Sequence, residues 1–461
     1  MSEHWATSGV DLHLEVGRPR GRTLEAALRD AVREGRLVAG ARLPSTRSLA
    51  SDLGIARNTV AAAYAQLVAE GWLEARQGSG TRVAARPVAA TAPEPPAVKT
   101  SARAAHDLRA GLPDLTSFPH AAWLASVRRT LRAAPYDALG YPDPRGRVEL
   151  RRAIAGYLAR ARGVDATPDR VIVCSGFRQA LTLVCTALRA NGARRLAVEE
   201  LGHRLHRDLI VTNALEAPTL GVDGDGAVVD DARADALLLT PAHQFPLGVA
   251  LAAHRRNRVV AWARERGGIV VEDDYDGEFR YDRQPIGALQ ALAPEHVIYA
   301  GTASKSLAPG LRLGWLVVPA RLLEPTLSAR ELTDGPSALE QLTLADFIES
   351  GSYDRHVRRA RLRYRRRRDR LVQALARRAP AARVTGIVAG LHAVVELPDG
   401  DTEEAAVRRS DEHGLSVEGL GAYRLGGPER APALVVGYAT PPEHAFTAAV
   451  GRLCAVLADV G

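Results

Sequence analysis

Lys305 is one of only two lysines in a chain of 461 residues that carries 61 lysines and arginines; the other is Lys99. Arginine has taken nearly every other basic position. An amine kept at 305 therefore points to chemistry a guanidinium cannot do, above all condensation with an aldehyde as a Schiff base. Lys305 follows the apolar run Val297–Ala300, hence sits on a loop at the carboxyl end of a strand, where open α/β sheets bind ligands. A second apolar run, Ile269–Val271, leads into Asp273, Asp274 and Tyr275, and Arg312 lies seven residues past Lys305. These are the parts that would hold pyridoxal 5'-phosphate (PLP). Lys305 takes the aldehyde, and Asp273 keeps the pyridine nitrogen protonated so that the ring can draw electrons. Tyr275 meets the phenolic oxygen, and Arg312 with Thr302 and Ser304 meets the phosphate. Asp274 is the alternative acid for the pyridine. Ser175, Gly176 and Phe177 fall between the strand-like run Val171–Cys174 and a helical pattern from about Gln179, so their N–H groups add a helix start to the phosphate site. Singly, each feature is commonplace, since a loop lysine is usually a solvated charge and adjacent acids usually cap an element. Their order along one segment carries the reading.

The elements that position these groups can be read from periodicity. Short apolar runs (RVIVCS, RRLAVEE, ALLLTP, GIVVEDD, HVIYAG, WLVVP) alternate with amphipathic stretches such as Gln179–Ala190 and Arg255–Glu265. That alternation predicts an α/β domain on a mostly parallel sheet over about residues 107–461. Its tail, about 380–461, reads as a small α+β subdomain with strands in LHAVVELP and PALVVGYA. Before it, about residues 85–106 are rich in Ala and Pro and read as a semi-extended linker. The length allows two or three domains. The net charge of +8 and the pI near 9.7 suit a polyanionic partner without proving one. Cys174, Cys185 and Cys454 have no paired spacing, which argues against a disulfide framework and against a metal site and favours a reducing cytoplasm. The N-terminus lacks a signal-like apolar segment and no long apolar run follows, so neither export nor membrane insertion is expected.

Residues 12–84 follow a different logic. Ser45 or Thr46 can cap a short helix over Arg47–Leu53, with Thr23 as the cap of a helix before it, and Gly54 makes the turn. Arg57–Glu70 forms the next helix, with Val60, Tyr64 and Leu67 on one face. Trp72–Glu74 and Thr81–Ala84 make a hairpin around Gly78-Ser79-Gly80. A helix placed so soon after a turn is the helix-turn-helix arrangement, whose second helix offers its first side chains to the major groove. PSTRSLA, RNTV, EGW and GSGTRV resemble the winged helix-turn-helix of the GntR family. The resemblance implies contacts to double-stranded DNA from Arg47, Arg57, Asn58 and Thr59, and from Gln77, Gly78 and Ser79 in the wing.

The remainder resembles fold-type-I PLP enzymes, and the whole chain resembles the MocR branch of GntR-type regulators. The matching pieces include AGLPDLTSFPHAAW, YPDPRGRVELRRAIAGYLARARGV, CSGFRQAL, TPAHQFPLG, EDDYDGEFRYDRQPIGAL and VIYAGTASKSLAPGLRLGW. The resemblance implies a homodimer of aminotransferase-like bodies, each with a winged domain, in which both protomers build each cofactor site. Tyr141 then either reaches the neighbour's phosphate or is only an aromatic in the turn before Pro142. Two departures matter. Relatives usually stack an aromatic, often a tyrosine, on the pyridine ring, where this chain has His203. Aminotransferases hold the substrate carboxylate with an arginine at the position of Val435, and relatives that sense GABA have another at that of Leu205; Arg204 and Arg424 are nearby substitutes. Their absence favours PLP itself, rather than a PLP-reactive amine, as the effector, as in PdxR-like members that control vitamin B6 synthesis. An active aminotransferase with an accessory DNA-binding domain and a regulator sensing an amino compound remain the alternatives. The arginine-dense segment His356–Leu371 reads as a solvated helix face with Leu362 and Leu371 on its buried side, although its charge could also meet DNA phosphates.

Overall fold

The computed structural model describes residues 21–76, 80–85, 105–281 and 286–458. The chain divides near residue 101 into two compact units. In the first, helices Gly21–Arg33, Thr46–Leu53 and Arg57–Ala69 precede an antiparallel pair, Leu73–Arg76 with Gly80–Val83. The first helix begins at Gly21, so Thr23 lies inside it and does not cap it. Ser45 caps the second helix by accepting from the Ser48 N–H at 3.1 Å, an interaction that contributes about 1 kcal/mol. Gly54 ends that helix at φ +63°, a conformation that admits glycine at little cost. Leu24, Leu28, Leu49, Val60, Tyr64, Leu67 and Trp72 pack into one core, and the Tyr64 hydroxyl donates to the Pro44 carbonyl at 3.1 Å.

In the second unit seven strands form one sheet. Their order is Val171–Cys174, Gly314–Val317, Val297–Thr302, Ile269–Asp273, Ala236–Leu239, Leu196–Glu199 and Thr219–Leu220. All neighbours run parallel except Gly314–Val317, which is antiparallel to both of its partners. The connection of residues 303–313 leading into it is too short for a crossover helix, so the chain can only return antiparallel. Helices such as Phe177–Ala190 and Ala253–Arg266 cover the sheet, and Ile269–Asp273 is buried along its whole length. Burial on both faces explains why these strands read as continuous apolar runs.

The tail folds as a four-stranded antiparallel sheet, Arg383–Thr385, Ala393–Glu396, Ala433–Val436 and Glu418–Gly419, against helix Glu443–Ala458. Two of these strands are too short to show in the sequence pattern. His106–Asp107 pairs with Leu415–Ser416, and Leu108 is buried in the same core, so the start of this unit joins its end.

Helix Ser352–Arg378 buries Tyr353, His356, Val357, Ala360, Tyr364, Arg367, Leu371 and Leu375. Leu371 is inside as expected, but Leu362 is 56% exposed, contrary to the sequence reading. The stripe stepping 353, 357, 360, 364, 367, 371 advances by three and four residues, and position 362 falls off it. Arg367 occupies the apolar stripe instead. It is paired with Asp114 at 2.9 Å and Glu443 at 2.8 Å, and it donates to the Ala439 and Pro441 carbonyls. Among the described residues no helix is long and apolar enough to cross a membrane.

Candidate functional site

The ends of four strands and the starts of two helices, Phe177–Ala190 and Arg204–Thr212, meet around a cavity of about 240 Å³. Strand alternation sorts the acidic run. Glu272 points one way and accepts from the Leu289 and Gln290 N–H groups at 2.8 and 2.9 Å. Asp274, two residues on, lies on the same side. It is gripped by Arg162 through two bonds of 2.7 and 2.9 Å and accepts from the Tyr299 hydroxyl at 2.7 Å. Asp273 and Tyr275 face the other way and line the cavity. Asp274 is thus committed to an ion pair, whereas the Asp273 carboxyl has no hydrogen-bond partner among the described residues. It is only 7% exposed, and burial pushes its pKa well above the carboxylate range, opposed by the charge of Lys305.

Lys305 lines the same cavity. Its Nζ donates to the Gly111 carbonyl at 2.5 Å, and burial lowers its pKa against the attraction of Asp273 and Asp276. The Tyr275 hydroxyl lies 3.1 Å from His243 Nδ1, which is 2.8 Å from Asp276. At the other end of the loop Arg312 adopts φ +52°, a strained conformation for a non-glycine residue, and its guanidinium donates to the Ser175 carbonyl. Gly176, at φ +85°, makes the turn beside that guanidinium in a conformation that admits glycine at little cost. Helix Phe177–Ala190 begins directly there, two residues earlier than the sequence suggests. The Ser175 N–H is already taken by Gln179 Oε1 at 2.7 Å, which leaves Gly176, Phe177 and the first turn as the free N–H donors. Thr302 and Ser304 bond each other at 2.9 Å and also line the cavity.

His203 stacks on Phe245, with centroids 4.3 Å apart and planes at 19°. His206, His392, Glu199 and Arg178 also line the cavity, and sequence reading missed all four. Only Arg178 carried a signal, as a basic residue in the first turn of the helix that opens at the phosphate end. Burial pulls His203 down to about 4, pulls His206 and His392 to about 3, and raises Glu199 to about 7. The three imidazoles are therefore neutral at physiological pH, and Glu199 changes charge near it. Val435 is wholly buried in an apolar cluster with Leu201, Phe245, Val394 and Tyr423. Arg204 and Arg424 are exposed and do not line the cavity. Tyr141 is fully exposed, as is Tyr136.

The His203 shift has a consequence for acid stability. The unfolded chain protonates this imidazole as the pH falls past about 6.5, while the folded chain keeps it neutral down to about 4. Proton uptake then favours the unfolded state, and stability declines as pH falls through that window. His203→Phe is expected to remove about 2 kcal/mol of the loss between pH 7 and about 5, measured by urea midpoints at both values.

In the winged unit Arg47, Arg57 and Asn58 are exposed and Thr59 is half-buried. Arg57 and Asn58 open the third helix, and Arg57 Nε lies 3.5 Å from Thr46 Oγ1, which brings the starts of the two helices together. Gln77, Gly78 and Ser79 lie outside the described residues.

Comparison with known proteins covers both units. The family of aminotransferases of class I and II matches residues 107–418, and the gntR family of bacterial regulatory proteins matches residues 20–83. The chain is 35% identical to the uncharacterised HTH-type transcriptional regulator YhdI of Bacillus subtilis, over 84% of this chain and 85% of that one. It is 34% identical to the probable rhizopine catabolism regulatory protein MocR of Rhizobium meliloti, covering 91% and 90%. It is 33% identical to the pyridoxine biosynthesis transcriptional regulator PdxR of Corynebacterium glutamicum, covering 91% and 92%. Among solved structures, an archaeal alanine:glyoxylate aminotransferase superposes with a TM-score of 0.70 at 23% identity, over 77% of this chain and 91% of that one. The α-aminoadipate aminotransferase LysN of Thermus thermophilus gives 0.68 at 26%, over 76% and 91%.

Proposed function

This chain belongs to the MocR-type transcriptional regulators, a gntR-family helix-turn-helix joined to an aminotransferase-like domain, and we propose that it binds PLP at Lys305 and reads PLP, or an amine that reacts with it, as its signal. The observation that carries this reading is the unpaired, buried Asp273 carboxyl in the same cavity as Lys305. A buried carboxyl without a partner is costly, and a protonated pyridine nitrogen is the cation that would relieve it.

Bound PLP would supply an electrophilic aldehyde and an electron-withdrawing ring. The chain's own groups would do the rest. Burial of Lys305 lowers the cost of its neutral, nucleophilic form, and the Gly111 carbonyl fixes where the amine points. Asp273 would hold the proton on the ring nitrogen and Tyr275 would bond the phenolic oxygen. Arg312, Thr302, Ser304 and the N–H groups from Gly176 onward would share the phosphate, with Arg178 as a second guanidinium. His203 would lie against the ring. Val435 leaves the amino-acid carboxylate without the guanidinium that would orient it, a loss of about 1.5–3 kcal/mol of charge-assisted bonding. This supports PLP as the signal, with control of vitamin B6 synthesis, over turnover of amino acids. The exposed Tyr136, Leu139 and Tyr141 support a homodimer, since large apolar groups on one surface segment favour self-association. Arg47, Arg57, Asn58 and Thr59 would contact the operator, the first residues of the third helix entering the major groove. The cytoplasm is the compartment this function requires.

A signal changes DNA binding only if it has different affinity for the two states of the protein. DNA fragments selected from the source genome should therefore shift with a different affinity or footprint when PLP is added to the ligand-free protein. An identical footprint and affinity would sink the PLP-sensing reading. Spectral changes on mixing the PLP form with amino acids would point to transamination instead.

A further inference from the structure

Helix Ser352–Arg378 has an outward face whose charge the cofactor site does not use. Arg359, Arg363, Arg366 and Arg370 follow one another by four, three and four residues, which sets them in a single stripe about 16 Å long. Leu362 lies exposed between them, and together they line a shallow basin of about 720 Å³. Two acids, Asp369 and Glu443, reach the same basin, and Glu443 is already paired with the buried Arg367.

Within this stripe Arg370 reaches Glu443 at 3.7 Å and Arg363 donates to the Ser117 hydroxyl at 2.7 Å. Some surface arginines of this unit have a carboxylate, as Arg129 with Asp346, Arg160 with Asp354, Arg255 with Asp223 and Arg258 with Asp230, and others, such as Arg128 and Arg132, have none among the described residues. Among the described residues no carboxylate stands within ion-pair distance of Arg359 or Arg366, and both are exposed. Like charges one turn apart repel and weaken a helix, so an isolated solvated face gains nothing from this spacing. A polyanion lying along the stripe would reverse the sign of that repulsion. A regular row of phosphates fits a linear row of guanidiniums better than a single small anion does, because each arginine can then take its own partner.

We propose that this face is a second, sequence-independent DNA contact, which binds the phosphate backbone of a duplex through Arg359 and Arg366 with Arg363 and Arg370 beside them. The proposal rests on the reading that the chain binds DNA, and its test separates the two. The full-length protein is titrated with a random-sequence duplex of about 60 base pairs at salt concentrations from about 50 to 200 mM, and the slope of log affinity against log salt is taken. The double variant Arg359→Gln/Arg366→Gln should lose about 0.9 from that slope for each contact removed. The parent should then hold an advantage about tenfold larger at the low-salt end than at the high-salt end. Arg359→Lys/Arg366→Lys should keep the parental slope, because an ammonium also binds phosphate. Neither pair touches the core, so the unfolding midpoint should stay where it is and shows that the fold is intact. Parallel salt plots for parent and glutamine variant overturn the proposal. So does a variant that loses binding to phosphatidylserine vesicles while its DNA slope is unchanged, since the face would then belong to a membrane surface. A parent that fails to bind the duplex at low salt overturns the DNA-binding reading itself.

Discussion

Lys305→Ala is expected to abolish the visible absorbance of protein-bound PLP completely. The cavity holds no second amine, and the chain's other lysine, Lys99, lies in the Ala/Pro-rich stretch before the second unit. Reducing the PLP-loaded parent with borohydride should fix the cofactor's mass on the peptide containing residue 305. The phosphate contacts proposed for Arg312 and the first turn of helix Phe177–Ala190 do not involve Lys305, so the variant should still bind PLP weakly, without the band. A band that persists, or a mass found on another peptide, would remove the covalent role from Lys305. The covalent site on which the proposed function rests then falls with it.

Arg162→Met should destabilise the protein by about 3–5 kcal/mol. Arg162 and Asp274 are 3% and 2% exposed in their side chains, so removing the guanidinium strands a carboxylate in the interior. Glu278, whose pKa burial has already raised to about 7, and the Tyr299 hydroxyl cannot replace the lost charge. The double variant Arg162→Met/Asp274→Asn should recover part of the loss, because no ion is then left unpaired. Urea unfolding measures both. A loss below about 1 kcal/mol for the single variant would mean that Asp274 is free of this pair, and would reopen the question of which acid serves the cavity.

That question shows where legibility ended. The run Glu272-Asp273-Asp274 announces carboxylates at a strand end, and strand period predicts that 273 and 275 share a face. Which face meets the lysine depends on what packs against each side. Arg162, more than a hundred residues earlier, claims Asp274. The missing arginine at Val435 was visible by comparison with the aminotransferase pattern, but the apolar cluster that seals the position was not. Leu362 falls outside the expected buried face because a helix so rich in arginine hides its own apolar stripe, and the buried Arg367 sits on that stripe.

The amino-acid sequence by itself determined the local chemistry: one of only two retained lysines, an acid and a phenol at a strand end, a cap at Ser45 or Thr46 and a turn at Gly54. These are decided by neighbours within a few residues, where hydrogen bonds and backbone sterics act. The tertiary structure alone decided which of those groups share a cavity. It turned Asp273 inward, brought His206, His392 and Arg178 to the same walls, and joined Leu108 to a core built from the chain's last third. Such meetings depend on the summed packing of segments hundreds of residues apart, and no single stretch of the chain encodes that sum.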